Sequence, residues 1–416
     1  MGTSARESRT VEKKRWTLEY ADLGTDPVPI EPCISPEYFA LERERIFRRV
    51  WLNVGREEQL LKPGDYFVQD LPVCRTSLLV VRGKDGAVCA FHNMCSHRGN
   101  KLMWHGQGTC QAFACKFHGW TYSLEGRLTF VPDEDFFFHL RKEDHGLTPV
   151  ATDTWEGFIF VHLDPHPPET LQEYLGVLGE GLRGYPFAQL TTCYAWQTEI
   201  QANWKVIKDA FQEAYHVAFI HKRSLPDSFT SKDNPLGHAF GFKLYSPHRS
   251  MSVYGNPEHK PAAVEALAHR FGTSIVNREF ALDRLPPGVN PARNPHWSFD
   301  ANMIFPNFDV FVFAGTYLTH HFWPLAVDRT LWEVRTYFPR AETLAQRFSQ
   351  EYSKVLLRDA LLEDASTLEA TQSVLASGAK THFILQDQEL LIRHSHRVIE
   401  EYVRFYRNGT EGVTHG

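Results

Sequence analysis

The chain lacks any apolar run close to the roughly 20 residues that a bilayer-spanning helix needs. It lacks an excess of basic charge, with 44 Lys and Arg against 50 Asp and Glu and a net charge of −6. No segment therefore reads as a nucleic-acid-binding surface. Internal repeats and low-complexity tracts are missing too, which excludes solenoid architectures. Cysteine is scarce, at 7 in 416 residues, and Met1 to Arg15 is polar and charged without an apolar core. No secretory signal is expected, so the cysteines read as thiols in a reducing cytoplasm rather than a disulfide framework. Neither a dinucleotide-binding fingerprint nor a plant-type Cys-x₄-Cys-x₂-Cys cluster stands out. Aromatic residues are plentiful, with 30 Phe, enough to fill cores and line an apolar pocket.

Two short loops, Cys95-Ser-His97 and Cys115-Lys-Phe-His118, each supply one thiolate and one imidazole, with seventeen residues between them. A Cys₂His₂ zinc finger usually draws both cysteines from one arm and both histidines from the other. Mixed arms suit a two-iron cluster with one iron on sulfur and the other on nitrogen, which is the donor set of a Rieske [2Fe–2S] centre. Gly99 and Gly119 follow the two loops, where backbone must pass close to a cluster. A structural zinc site is the alternative. Cys33, Cys74, Cys89, Cys110 and Cys193 read as core or surface thiols.

Periodicity divides the chain in two. Ser35 to Trp51 reads as an amphipathic helix, with Ser35 as cap and Pro36 in the first turn. Short alternating runs follow at 65–69, 77–82 and 87–91, and a closing strand at 157–162, bounded by turn residues. The Pro-rich stretch 164–168 reads as a boundary. Beyond it, the pattern predicts a strand over 196–201, a helix over 203–218, strands over 301–314, 316–323 and 331–338, and helices over 341–376 and 386–406, the former capped by Ser377-Gly378.

The segment after Trp204 contains Glu213-Ala-Tyr-His216 and, five residues on, His221. On an ideal helix, Glu213 and His216 lie roughly 60° apart and share a face, whereas His216 and His221 lie roughly 140° apart. For both histidines to reach one ion, the helix must bend or end near Phe219. Two histidines and one carboxylate, leaving open coordination positions, form the facial triad of non-haem iron(II) oxygenases.

Together these motifs resemble the oxygenase (α) subunit of Rieske non-haem iron oxygenases, the ring-hydroxylating dioxygenase group. The likeness runs from the helix at 35–51 to the C-terminal helix. It implies an α+β chain: an arm and helix over 1–45, an all-β Rieske [2Fe–2S] domain over 46–165, and a catalytic domain over 166–416 built on a helix-covered antiparallel sheet of START-like, helix-grip type. Asn203-Trp204-Lys205, Tyr215-His216 and His221 match the family's stretch carrying two iron histidines. Asp364, with Gln372 eight residues on, matches its aspartate ligand; Glu363 and Asp359 are rivals on the same charged helix. The resemblance makes Cys95, His97, Cys115 and His118 the cluster ligands. It also makes Glu213 the carboxylate that bridges His216 to His118 of a neighbouring subunit, with Asp209 a weaker candidate for the same network. The best-known ring dioxygenases have Asp in the Glu213 position; enzymes oxidising quaternary ammonium compounds have Glu.

Further expectations follow from the resemblance. Mononuclear Fe(II) binds O₂ as co-substrate. Electrons come from NAD(P)H through a separate reductase, with or without a ferredoxin, and Arg98, Lys101 and Lys116 are candidates to steer that donor. The chain self-associates as a trimer or a multiple of one, with or without a small β subunit. Phe211, Val217, Phe219, Phe305 and Phe308 are candidate pocket residues for an aromatic or other hydrophobic ring, to be dihydroxylated or monohydroxylated. A monooxygenase or demethylase acting on a quaternary amine or on a methoxy or N-methyl substrate is the alternative within the family. A Rieske electron carrier and a zinc-binding module are the alternatives outside it.

Overall fold

The computed structural model describes residues 15–104, 106–272 and 284–405. Among the described residues are two seven-stranded antiparallel sheets, a small three-stranded one and a two-stranded pairing of Val28–Pro29 with His382–Phe383, with helices gathered on the second large sheet. Among the described residues, no helix is long and apolar enough to cross a membrane.

The first large sheet runs Leu52–Arg56, Phe158–His162, Pro149–Trp155, Val88–His92, Thr76–Arg82, Asp65–Leu71, Gln107–Thr109. Thr76–Arg82 shows why it is covered on both sides. Leu78 and Val80 join the main core, while Leu79 and Val81 join a smaller core with Phe113, Trp120 and Tyr122. Side chains alternate across a strand, so one apolar run serves two cores. The smaller core supports the three-stranded sheet of Phe113–Ala114, Thr121–Tyr122 and Leu128–Phe130, from which the second Cys/His loop projects.

The second large sheet runs Thr192–Ile200, Arg329–Phe338, Tyr317–Ala326, Phe308–Phe313, Trp297–Ile304, His248–Tyr254, Gly241–Tyr245. Its central strands are buried on both faces. Phe308 and His321 meet the first domain, where Phe308 lies 5.6 Å from Phe158 and His321 Nε2 lies 2.9 Å from Asn53 Oδ1. Phe311, Phe313, Leu318 and His320, of opposite parity, face the helices Trp204–Ala210 and Leu344–Leu375.

Several boundaries differ from those the periodicity predicts. The N-terminal helix spans Pro36–Glu42, with Ser35 Oγ accepting the Tyr38 N–H at 3.0 Å, and closes in a π-turn at Phe47 rather than reaching Trp51. The expected strand 301–314 is two strands, Trp297–Ile304 and Phe308–Phe313, because Pro306 has no N–H for the ladder. The helix Leu171–Leu182 was not expected, although Thr170-x-x-Glu173 is a readable capping box. Gly179-x-Gly181-x-x-Gly184 has the glycine spacing of a dinucleotide site but lies at the end of that helix, not between a strand and a helix. Gly181 instead packs on Gly288, whose N–H it accepts at 2.8 Å.

Candidate metal centres

The two Cys/His loops are built alike. In each, the glycine N–H returns to the cysteine carbonyl at 2.9 Å, from Gly99 to Cys95 and from Gly119 to Cys115. Each cysteine N–H in turn donates five residues ahead, to the carbonyls of Asn100 and Trp120 at 2.9 and 2.8 Å. Both glycines sit at positive φ, +74° and +75°, which a side chain would resist. The turns expose His118, leave His97 half-buried and bury the cysteines: the His97 and His118 rings lie 4.6 Å apart, and Trp120 stacks on His97 at 4.9 Å. Tyr122 Oη lies 3.2 Å from Cys95 Sγ, and Asn100 Nδ2 donates to Cys115 Sγ at 3.6 Å. Burial pushes the Cys95 thiol up. Burial acts the same way at Cys115 but is outweighed by the backbone N–H groups of Phe117 and His118, which hold that thiol below its ordinary value.

The donor set fits a cluster better than one ion. Among the described residues, His216, His221 and Asp364 are the only group of three or more such side chains whose ligand atoms all lie within 4.8 Å of one another. The Cys/His quartet offers one thiolate and one imidazole from each loop, the paired donor set of a two-iron cluster. His97 Nδ1 is buried without a partner, as a ligand atom facing a cluster would be.

The carrier residues considered for an electron donor already have partners. Arg98 Nη2 lies 3.1 Å from His118 Nε2, Lys101 pairs with Asp70 at 2.8 Å, and the Lys116 ammonium sits 5.1 Å from the Trp104 ring centroid.

The second centre depends on a helix that breaks early. Trp204–Ala210 is helical, Phe211–His216 is not, and a single turn resumes at Val217–Ile220. The helix is thus interrupted at 211–216, and the resumed turn ends at Ile220, beside Phe219, as the bend-or-end expectation required. Buried Gln212 is held there by Arg249 Nε, and Arg249 Nη2 donates to Ser395 Oγ at 2.7 Å. Glu213 then caps the new turn, accepting the N–H groups of Tyr215 and His216.

This geometry aims His216 Nε2 and His221 Nε2 at Asp364 Oδ1, at 3.6 and 3.2 Å. The opposite ring nitrogens are engaged: His216 Nδ1 meets Glu213 Oε1, and His221 Nδ1 meets Glu363 Oε2 at 3.0 Å. With protons at both Nδ1 positions, two Nε2 lone pairs and a carboxylate converge on one buried point, an arrangement that a cation relieves. Burial disfavours the charged form of both rings. Even so, Glu213 and Asp364 hold His216 above its ordinary pKa, and Asp364 and Glu363 do the same for His221. Glu363 thus orients a ligand instead of competing with Asp364, and it also accepts Ser224 Oγ at 2.5 Å. Asp359 is turned outward to Arg358 at 2.7 Å. Asp209 does not join the Glu213–His216 pair, because His396 Nε2 holds it at 2.8 Å.

A cavity of about 110 Å³ opens beside these side chains. Phe211 and Val217 line it, but three other residues considered for it do not. Phe219 is 55% exposed on the outer side of the turn, and Phe308 lies on the opposite sheet face. Phe305 lies past the strand end, packed on Tyr402 at 5.0 Å. The walls come instead from Phe229, Phe299, Phe311, Phe313, Met251 and Leu361, among others. Strand parity counted from Phe308 would have found Phe311 and Phe313.

Residues 50–140 match the family model described as Rieske [2Fe-2S] domain, and residues 187–404 match the ring hydroxylating alpha subunit (catalytic domain). The oxygenase subunit of glycine betaine monooxygenase from Chromohalobacter salexigens is 35% identical over 194 residues, covering 46% of this chain and 42% of that protein. The alpha subunit of benzene 1,2-dioxygenase from Pseudomonas putida is 28% identical over 312 residues, covering 64% and 67%. The chain spans about half the length of the quaternary-amine relatives it matches. A crystal structure of a quaternary ammonium Rieske monooxygenase superposes with a TM-score of 0.74 at 22% identity, covering 94% of this chain and 99% of that one, a likeness of fold. With more than half of its length matched by the catalytic-domain model and a Rieske domain ahead of it, the chain belongs to the ring-hydroxylating α-subunit family.

Proposed function

We propose that this chain is the terminal oxygenase of a multicomponent system that uses O₂ and electrons from NAD(P)H, passed through a separate reductase or ferredoxin, to hydroxylate an apolar ring. The observation that carries this reading is the convergence of His216, His221 and Asp364 on the wall of a cavity lined mostly by phenylalanine and aliphatic side chains. Iron on these three residues supplies O₂ activation, and a [2Fe–2S] cluster on Cys95, His97, Cys115 and His118 supplies single electrons.

The rest of the work falls to the chain's own side chains. Glu213 and Glu363 hold the protons on His216 Nδ1 and His221 Nδ1, keeping both Nε2 atoms free to bind metal. Phe211, Val217 and Leu361 exclude water and press a flat ring toward the His216–Asp364 edge. Because the cavity is closed by packing rather than by charge, orientation comes from shape.

Self-association completes the electron path in this reading. Trp104, Phe117, Phe130, Phe136 and Phe138 are exposed around the Cys/His loops, while Tyr215 and Phe219 are exposed beside Glu213. Two different apolar patches on one chain suit a head-to-tail ring, trimeric or a multiple of three, with or without a β subunit. Glu213 then stands between His216 and His118 of the neighbouring subunit. The expected location is the cytoplasm.

Glu213 and the quaternary-amine relatives favour a second reading, a monooxygenase acting on a quaternary amine. Against a zwitterion such as carnitine, no Lys or Arg among the described residues lines the cavity to meet its carboxylate. Anaerobic EPR with iron and sulfide counts tests the two centres. Labelled O₂ with a panel of arenes and quaternary amines tests the reaction: one labelled oxygen in an amine-derived product establishes the second reading, and a labelled ring product establishes the first.

A further inference from the structure

Among the described residues, outside the metal-binding set and Glu213, one polar side chain lines the cavity: His320. It lies on Tyr317–Ala326 and turns toward the helices together with Leu318 and Phe322. Trp332, on the adjacent strand, donates its indole N–H to His320 Nδ1 at 3.0 Å. An indole nitrogen can only donate, so Nδ1 keeps its lone pair and the neutral ring carries its proton on Nε2. Burial pushes the ring's pKa down to about 3, so this neutral tautomer persists at physiological pH.

Nε2 is buried and has no hydrogen-bond partner. Phe211 stacks on the ring at 4.8 Å and Phe311 meets it edge-on at 4.9 Å, so the imidazole cannot swing away to find one. An unpaired buried donor carries its full desolvation penalty. A hydrocarbon filling the cavity leaves that cost in place. A ligand with an acceptor at that point removes it.

We propose that His320 is a specificity-determining residue whose Nε2–H donates to an oxygen of the substrate, a carbonyl, ether or hydroxyl carried by an otherwise apolar ring. This rests on the cavity being the substrate site and narrows the substrate class proposed above. A single neutral donor cannot offset the burial of a carboxylate, and a quaternary ammonium group carries no acceptor to offer it.

The test is calorimetric binding to the iron-loaded, full-length protein, held anaerobic without an electron donor. The probes are 1-indanone, its carbon isostere 1-methyleneindane, and glycine betaine. The wild type is expected to bind 1-indanone about tenfold more tightly than 1-methyleneindane. His320→Phe, which keeps a flat ring but no donor, is expected to bind the two within about twofold of each other. Equal binding of the two ring probes by the wild type overturns the proposal without any variant, so a failure of His320→Phe to fold does not obscure the result. A preference that survives in folded His320→Phe overturns it as well. In both cases the apolar-ring reading stands, because both rings still bind. Binding of glycine betaine with neither ring probe bound overturns the substrate class and the role of His320 together.

Discussion

Glu363 and Asp364 are adjacent acids on one helix, and the structure gives them different work that a metal titration can separate. Asp364 is buried with Oδ1 facing both histidine Nε2 atoms, whereas Glu363 grips His221 Nδ1 at 3.0 Å and Ser224 Oγ at 2.5 Å. Asp364→Ala removes a ligand, so mononuclear iron should be absent and total iron should fall from about three to about two per chain. Glu363→Ala leaves all three ligands but frees the His221 ring. Losing such an orienting carboxylate typically weakens metal binding 10–100-fold, or about 1.4–2.7 kcal/mol. Glu363→Gln keeps an accepting oxygen but loses its charge, so it should lie near the lower, about tenfold end. The assay is anaerobic reconstitution of chelator-treated protein over a range of Fe(II), with the Rieske EPR signal as an internal standard and thermal unfolding as the control for folding. Iron retained by Asp364→Ala and lost from Glu363→Ala at every concentration would refute the division of roles.

Glu42 is fully buried, pairing with Lys205 Nζ at 2.5 Å and accepting Trp204 Nε1 at 3.0 Å, so Glu42→Ala strands a buried ammonium. It should cost roughly 3–5 kcal/mol, read from denaturant unfolding. His248 donates from Nε2 to the Tyr174 carbonyl at 2.6 Å and accepts the Phe305 N–H at Nδ1, and burial lowers its pKa from 6.5 to about 4. Between those values the unfolded chain binds the extra proton, so this contribution is complete above pH 6.5 and is lost as pH falls toward 4, by about 3 kcal/mol. His248→Gln should flatten the fall of the unfolding midpoint in that window. Phe136→Asp with Phe138→Asp should shift sedimentation toward the monomer while leaving the Rieske EPR signal intact; an unchanged assembly would remove that patch from the interface.

What could be read from the sequence tracks how local each requirement is. The Cys95/His97 and Cys115/His118 loops were legible because each cluster half is held within five residues, and the glycines that close the turns are adjacent. The angular mismatch between His216 and His221 correctly demanded a distorted helix. The end at Ile220 lies where that mismatch placed it, whereas the earlier break at 211–216 was not legible, since it is held by Arg249, from a strand further along the chain, gripping Gln212. Asp364 was singled out by its spacing to Gln372, but the role of its neighbour Glu363 could not be read without Ser224 and the His221 ring beside it. Phe308 and Phe311 look alike in sequence, and only the strand start after Pro306 decides which faces the cavity.

The spacing from Asp364 to Gln372 has a mechanical explanation in this chain. Gln372 Oε1 accepts the Asn203 N–H at 3.0 Å, while Gln372 Nε2 donates to the Cys33 carbonyl at 3.3 Å. Asn203 itself caps Trp204–Ala210, through Oδ1 accepting the Lys205 N–H at 3.0 Å. One amide therefore joins the helix that carries Asp364, the N-terminal segment, and the start of the stretch that delivers His216 and His221. Lys208, on that same short helix, is buried against Asp309 of the sheet. The carboxylate and the two imidazoles come from elements more than 140 residues apart, and their convergence depends on registers set at these polar joints, away from the metal. A side chain that never reaches the ion can thus govern whether its three ligands meet, which is why Gln372 and Glu42 belong to the site's architecture as much as to its stability.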